Sequence, residues 1–133
     1  MSTETGVPEA SASTLMVRAV RGAITVRRDS REAVLDSTER LLRELLGRNG
    51  IAAGDVVSIL FTATPDVRSA FPAEAARLMG LDFVPLICAA EMDVPGALPA
   101  CIRVLMHVHS RRTQQDIEHV YLEGAQSLRP DLG

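Results

Sequence analysis

The residues best equipped for chemistry in this chain stand at the margins of apolar runs. In CIRVLMHVH (101–109) an arginine interrupts an otherwise hydrophobic stretch. Read as a strand, it puts Ile102, Val104, Met106 and Val108 on one unbroken apolar face. Cys101, Arg103, Leu105, His107 and His109 fall on the other. A permanently charged guanidinium on a half-buried surface needs a partner. Glu91 closes another apolar run, FVPLICAAE, and Arg21 follows LMVRAV on the face of Val17 and Ala19. Two readings fit these three residues equally: internal ion pairs, or a pocket between strand ends that binds an anion.

Other chemistries are weaker. His107 and His109 are two apart on one face, a spacing some metal sites use, with His119, Glu91 or a cysteine as third ligand. Polar residues at the wetter end of a strand explain the pair more simply, and with no CxxC or Cys/His cluster no metal is expected. Cys88 paired with a histidine base would make a nucleophile. A buried, inert thiol on an apolar strand is the simpler account, because no helix start stands beside it to activate it. All 14 basic residues are arginines, so a lysine Schiff base, including the usual anchor of pyridoxal phosphate, is excluded.

The elements that must position these groups fit one domain of 133 residues with 47% hydrophobic content and a formal charge of −3. That balance argues against nucleic acid as the main partner. No apolar run is long enough to span a membrane, and the first residues, MSTETGVPEASAST, lack the pattern of a secretory signal. A cytoplasmic location with reduced thiols is expected, although counting two cysteines does not itself decide a disulfide.

Residues 1–14 read as a disordered tail and 15–133 as a single domain. LMVRAV (15–20) is a first strand, with Arg21-Gly22 at its end or at a bulge. From Ser30 to Leu46, Val34, Thr38, Leu41, Leu42 and Leu45 share one helical stripe; Asp29 with Glu32 suits the helix start, and Gly47 with Asn49-Gly50 its end. VVSILFTA (56–63) is a second strand, a short helix follows Pro72, and FVPLICA (83–89) is a strand whose Pro85 marks an edge or a start. CIRVLMHVH is a fourth strand; IEHVYLEGA (117–125) fits either a strand or a helical turn. The pattern gives an α/β or α+β sheet covered on one face by two helices. Its other face, apolar and poor in aromatics, is expected to pack against other subunits.

Four stretches taken together, VRAVRGAITV, FTATPDVRSAFPAEAAR, VPLICAAEMDVPGALPACIRV and HVYLEGAQSLRPDL, resemble the monofunctional AroH-class chorismate mutases. The resemblance runs in order from about Val17 to Leu132. It implies an α+β fold in which a mixed sheet carries helices outside, and a homotrimer forming a pseudo-α/β barrel with active sites between subunits. It also implies the rearrangement of chorismate to prephenate, toward phenylalanine and tyrosine, with no cofactor, metal or covalent intermediate.

By the same resemblance Arg21 binds a substrate carboxylate, and Arg103 reaches the ether oxygen of the breaking bond and a carboxylate. Glu91 accepts the ring hydroxyl with Cys88, Ala89 and Ala90 beside it, and Tyr121 donates to a carboxylate. Phe71, Ala73 and Ile87 form an apolar wall from the neighbouring subunit, and Arg77, Leu128 and Arg129 border the entrance. Two departures bear on affinity: Glu74 stands where some members carry lysine, and Ile87 where a small polar residue can occur. Trimeric imine deaminases, which share a related architecture, and a non-catalytic trimeric metabolite-binding protein are the rival readings. The lack of an activated nucleophile, a metal motif and a lysine agrees with a concerted rearrangement, which needs none of them.

Overall fold

The computed structural model describes residues 14–128. The expected tail up to residue 13 and the expected rim residue Arg129 lie outside that span. Strand β1 (Met16–Thr25) leads to helix α1 (Arg31–Arg48), strand β2 (Val56–Ala63), the short helix α2 (Ala73–Leu78) and strand β3 (Leu86–Ala90). Strand β4 (Cys101–Ser110) and the three-residue strand β5 (Val120–Leu122) complete one sheet, with a 3-10 turn over Glu123–Leu128 after it.

The strand order is β3-β2-β4-β1-β5. β4 runs antiparallel to both β1 and β2, whereas β3 is parallel to β2 and β5 parallel to β1. The sheet is therefore mixed, as the resemblance implies, with the arginine-bearing strand at its centre. Ile102, Val104, Met106 and Val108 are all buried, at 0–3% exposure, against the helices. A one-residue slip would turn these four to the open face, at a cost of roughly 6–12 kcal/mol if each buried side chain contributes about 1.5–3 kcal/mol. That penalty fixes where Arg103 points.

The stripe read from the helix sequence is the one buried: Val34, Thr38, Leu41, Leu42 and Leu45. The N-cap is Ser30, whose Oγ accepts from the Ala33 amide, one residue later than the expected Asp29 start. Asp29 instead accepts from the Arg68 and Ser69 amides, which hold its carboxyl below the usual range and tie the β2–α2 loop to the start of α1. At the other end Asn49 donates to the carbonyls of Leu45 and Glu118, and Gly50 turns the chain at φ +61°.

Three boundaries differ from the sequence reading. β1 continues through Arg21-Gly22 to Thr25, because Gly22 lets the sheet approach α1. A Cβ there would stand 3.0–3.2 Å from the methyls of Leu41 and Leu45. β3 begins at Leu86 rather than Phe83; Pro85, which lacks an N–H, contributes only its carbonyl, accepting from Ile59 at 3.0 Å. The ambiguous stretch 117–125 is both things in turn, a strand and then a 3-10 turn. Among the described residues no helix is long and apolar enough to cross a membrane.

Gly22→Val should lower stability by about 1–3 kcal/mol through overpacking against Leu41 and Leu45. Urea unfolding at fixed protein concentration checks this; an unchanged midpoint would show that α1 can move away freely.

Candidate active site

The open face of the sheet is organised in transverse rows. One row runs Ala89, Thr62, Arg103, Ala23 and Tyr121, a register partner from each strand in turn. The next runs Ile87, Leu60, Leu105 and Arg21. The inner part of these rows, without Ala89 and Ile87, floors a cleft of about 260 Å³ lined by Arg21, Ala23, Leu60, Thr62, Glu91, Arg103, Leu105 and Tyr121. Four residues singled out in the sequence, Arg21, Glu91, Arg103 and Tyr121, thus share one cleft although 100 positions separate the first from the last.

Glu91 lies just beyond β3, but its amide donates to the Ala63 carbonyl at 2.9 Å and so prolongs the pairing with β2. That bond brings its carboxylate to the row of Thr62 and Arg103. Oε2 accepts a short hydrogen bond from the Thr62 hydroxyl and lies 3.4 Å from Arg103 Nε. The ion-pair distance is met, yet Nε, itself buried, makes no hydrogen bond. The two sequence readings of Arg103 are therefore compatible. The arginine has a protein counter-charge, and its side chain, still 43% exposed, faces the cleft.

The approach to β4 is held firmly. Ala100 adopts φ +52°, a left-handed conformation costly for a residue with a Cβ. Its amide donates to Asp66 Oδ2 and its carbonyl accepts from Val26, both at 2.8 Å. Cys101 exchanges bonds with Thr64 through both backbone groups and is sealed at 1% exposure, which pushes its thiol pKa up. The inert buried cysteine is this one. Cys88, expected to be buried, is exposed because β3 is an edge strand, and both cysteines are free thiols.

The histidines do not converge. His107 stands within 3.3 Å of Ser58 Oγ, His109 is exposed, and His119 Nδ1 accepts from the Arg21 amide at 3.0 Å. Among the described residues no group of three or more His, Cys, Asp and Glu is placed to hold a metal ion.

The remaining expected site residues separate from this cleft. Phe71, Cys88, Ala89 and Ala90 border a second cavity of about 560 Å³ on the β3 side, with Arg31 and Glu74. Phe71 and Ile87 are 71% and 64% exposed, so a single chain leaves this apolar wall in water. Ala73, expected in the wall, has its methyl sealed in the helix–sheet core instead, because the first turn of α2 packs inward. Arg77 is exposed on α2, and Leu128 packs with Tyr121 against Ala23, Cys101 and Ala125. Glu74 is neutralised by an ion pair with Arg31, which holds its carboxyl below the usual range. It therefore does not present a lone negative charge.

A family model, "Chorismate mutase type I", matches residues 17–132. The chain belongs to the chorismate mutase type I family. It is 48% identical over 119 residues to a protein named chorismate mutase AroH from Bacillus subtilis (strain 168), covering 89% of this chain and 94% of the relative. A chorismate mutase AroH from Thermus thermophilus is 49% identical over 118 residues, or 88% and 97% of the two chains. A solved chorismate mutase from Clostridium thermocellum superposes with a TM-score of 0.81 at 47% identity, covering 82% of this chain and 97% of that one. The chain is accordingly an isomerase, a chorismate mutase.

The sequence reading of this chorismate mutase missed Thr62, Leu60 and Leu105 as cleft residues. Alternation in VVSILFTA places Ser58, Leu60 and Thr62 on one face, but only the register with β4 shows that Thr62 sits opposite Arg103. Thr62→Val should lower kcat/KM about threefold to tenfold with little change in Tm, by releasing the Glu91 carboxylate. Unaltered kinetics would mean that Arg103 alone positions Glu91.

Proposed function

We propose that this cleft binds chorismate as a dianion and catalyses its rearrangement to prephenate by selecting the folded conformer and stabilising charge on the ether oxygen. The observation that carries the proposal is the Arg103 guanidinium, paired with Glu91 yet 43% exposed and lining the cleft. A concerted rearrangement moves no proton and forms no enzyme-bound intermediate. Rate must then come from holding the enolpyruvyl arm over the ring and from meeting charge that separates as the C–O bond breaks ahead of C–C formation.

Arg103 meets the ether oxygen as it becomes partly negative, and its planar fork also touches a carboxylate. Its immobility matters as much as its charge, because a donor already in place needs no reorganisation during the reaction. Arg21 and Tyr121 bind carboxylates, which gives an acidic protein a local excess of positive charge around the substrate. Glu91 meets Thr62 and Arg103 through Oε2, and Oε1 takes the ring hydroxyl at the far end of the substrate. No cofactor or metal takes part.

The protein acts in this proposal as a homotrimer, closed as a pseudo-α/β barrel, in the cytoplasm and as a single domain. Val17, Leu60 and Ile87 are 53%, 37% and 64% exposed on the uncovered side of the sheet, a surface that a neighbouring subunit would bury. The wall cavity of one chain, with Phe71 and Cys88, then closes over the Arg103 cleft of the next, with Ile87 on the open face beside it. A role at the entrance is assigned to Arg77, Leu128 and Arg129, and Ala73 serves the core behind the wall.

Purified protein should consume chorismate absorbance and yield prephenate. Arg103→Ala should remain folded while the barrier rises by at least ~3 kcal/mol, the scale for losing one such donor. Near-normal kcat in that variant would remove Arg103 from the mechanism. Arg103→Lys should also be poor; full activity would show that charge without the fork is enough. In verified mixed assemblies, Phe71→Asp and Arg103→Ala chains should recover turnover by forming intact sites between them, whereas no recovery would contradict a shared site.

A further inference from the structure

β1 is unevenly supported along its outer edge. From Gly22 to Ile24 it pairs with the backbone of β5. Before that, where β5 has not begun, two side chains take over the strand's role. The Gln114 amide accepts from the Ala19 N–H at 3.0 Å and donates to the Ala19 carbonyl at 2.7 Å. His119 Nδ1 accepts from the Arg21 N–H at 3.0 Å. The backbone of the carboxylate-binding arginine is thus held by an imidazole.

We propose that His119 is a positioning residue whose neutral ring fixes Arg21 in the cleft, so that protonating it loosens Arg21 and weakens substrate binding. The proposal rests on the functional reading of Arg21 given above. A neutral imidazole with its proton on Nε2 offers Nδ1 as an acceptor; the imidazolium carries a proton on both nitrogens and cannot accept. Protonation would therefore set an N–H against the Arg21 N–H and place a second positive charge beside the arginine. Gln114, the other support, does not titrate.

The surroundings favour the neutral ring. Arg21 on β1, Arg48 on α1, and Glu118 and Tyr121 from its own stretch are the charged and titratable groups around His119. Arg48 is paired with Glu44, and Glu118 lies 4.0 Å from Arg112, so neither stands as a lone charge. Desolvation first, and the Arg21 charge second, lower the pKa of His119 below its ordinary value of 6.5. The sign follows: the unfolded chain takes up the proton first, so this contribution to stability is full above pH 6.5 and is lost as pH falls toward the folded pKa.

Asn is the discriminating substitution, since its Oδ1 occupies the place of Nδ1 and accepts at every pH. The wild-type enzyme should lose kcat/KM about fivefold as pH falls through a single protonation below 6.5, mainly through KM. His119→Asn should keep neutral-pH activity within about threefold and lack that acid limb, whereas His119→Phe should be impaired at all pH values. In parallel, the Arg21 backbone amide resonance should titrate with the His119 ring in the wild type and stay fixed in His119→Asn. A persistent acid limb in His119→Asn, or an Arg21 amide insensitive to His119 titration, would overturn the proposal. If the wild type failed to turn over chorismate, the functional reading of the cleft would fall, and the amide titration would still decide whether His119 holds Arg21.

Discussion

A strand whose alternate side chains are sealed under helices has no freedom over where the others go. The burial of Ile102, Val104, Met106 and Val108 is that constraint here. It sets the register of β4 against both neighbours, and register sets everything on the open face. Thr62 and Ala23 fall beside Arg103, and Tyr121 beside Ala23, because hydrogen-bonded partners in a sheet stand side by side. The site is thus a consequence of core packing on the opposite side of the same strands.

The polar side of the sheet follows a different logic. Glu91 is brought in by a backbone bond that extends β3, and its carboxylate then meets Thr62 and Arg103. An arginine left with no counter-charge in this apolar setting would be costly to desolvate. An arginine fully saturated by protein acceptors would have nothing left for a ligand. The arrangement at Arg103 lies between these extremes, with a carboxylate at ion-pair distance and an unsatisfied Nε. Arg21 is likewise constrained through its backbone, leaving its guanidinium to the cleft.

Local pattern reached far into this structure but stopped at relations between strands. Alternation in residues 101–109 located Arg103 on the polar face, and the 3.6-residue period found every buried residue of α1. The extent of β1 was not legible, since Gly22 reads as a breaker until α1 is known to need the space its missing side chain leaves. Thr62 was not legible because one threonine on a strand face says nothing before its partner is known. Cys88 was misread as buried because an apolar edge strand and an apolar central strand share the same composition. The family motifs supplied roles that periodicity could not, and in the fold Arg21, Glu91, Arg103 and Tyr121 come together in one cleft.

The central claim is that the exposed part of the Arg103 guanidinium, held beside Glu91, hydrogen-bonds the ligand. Nitrogen-15 NMR of the Arg103 side chain, assigned by comparison with Arg103→Lys and recorded with and without saturating prephenate, tests it most directly. The account predicts that the terminal guanidinium N–H signals move downfield and exchange more slowly with solvent when prephenate is bound. Signals unchanged by bound prephenate would contradict it.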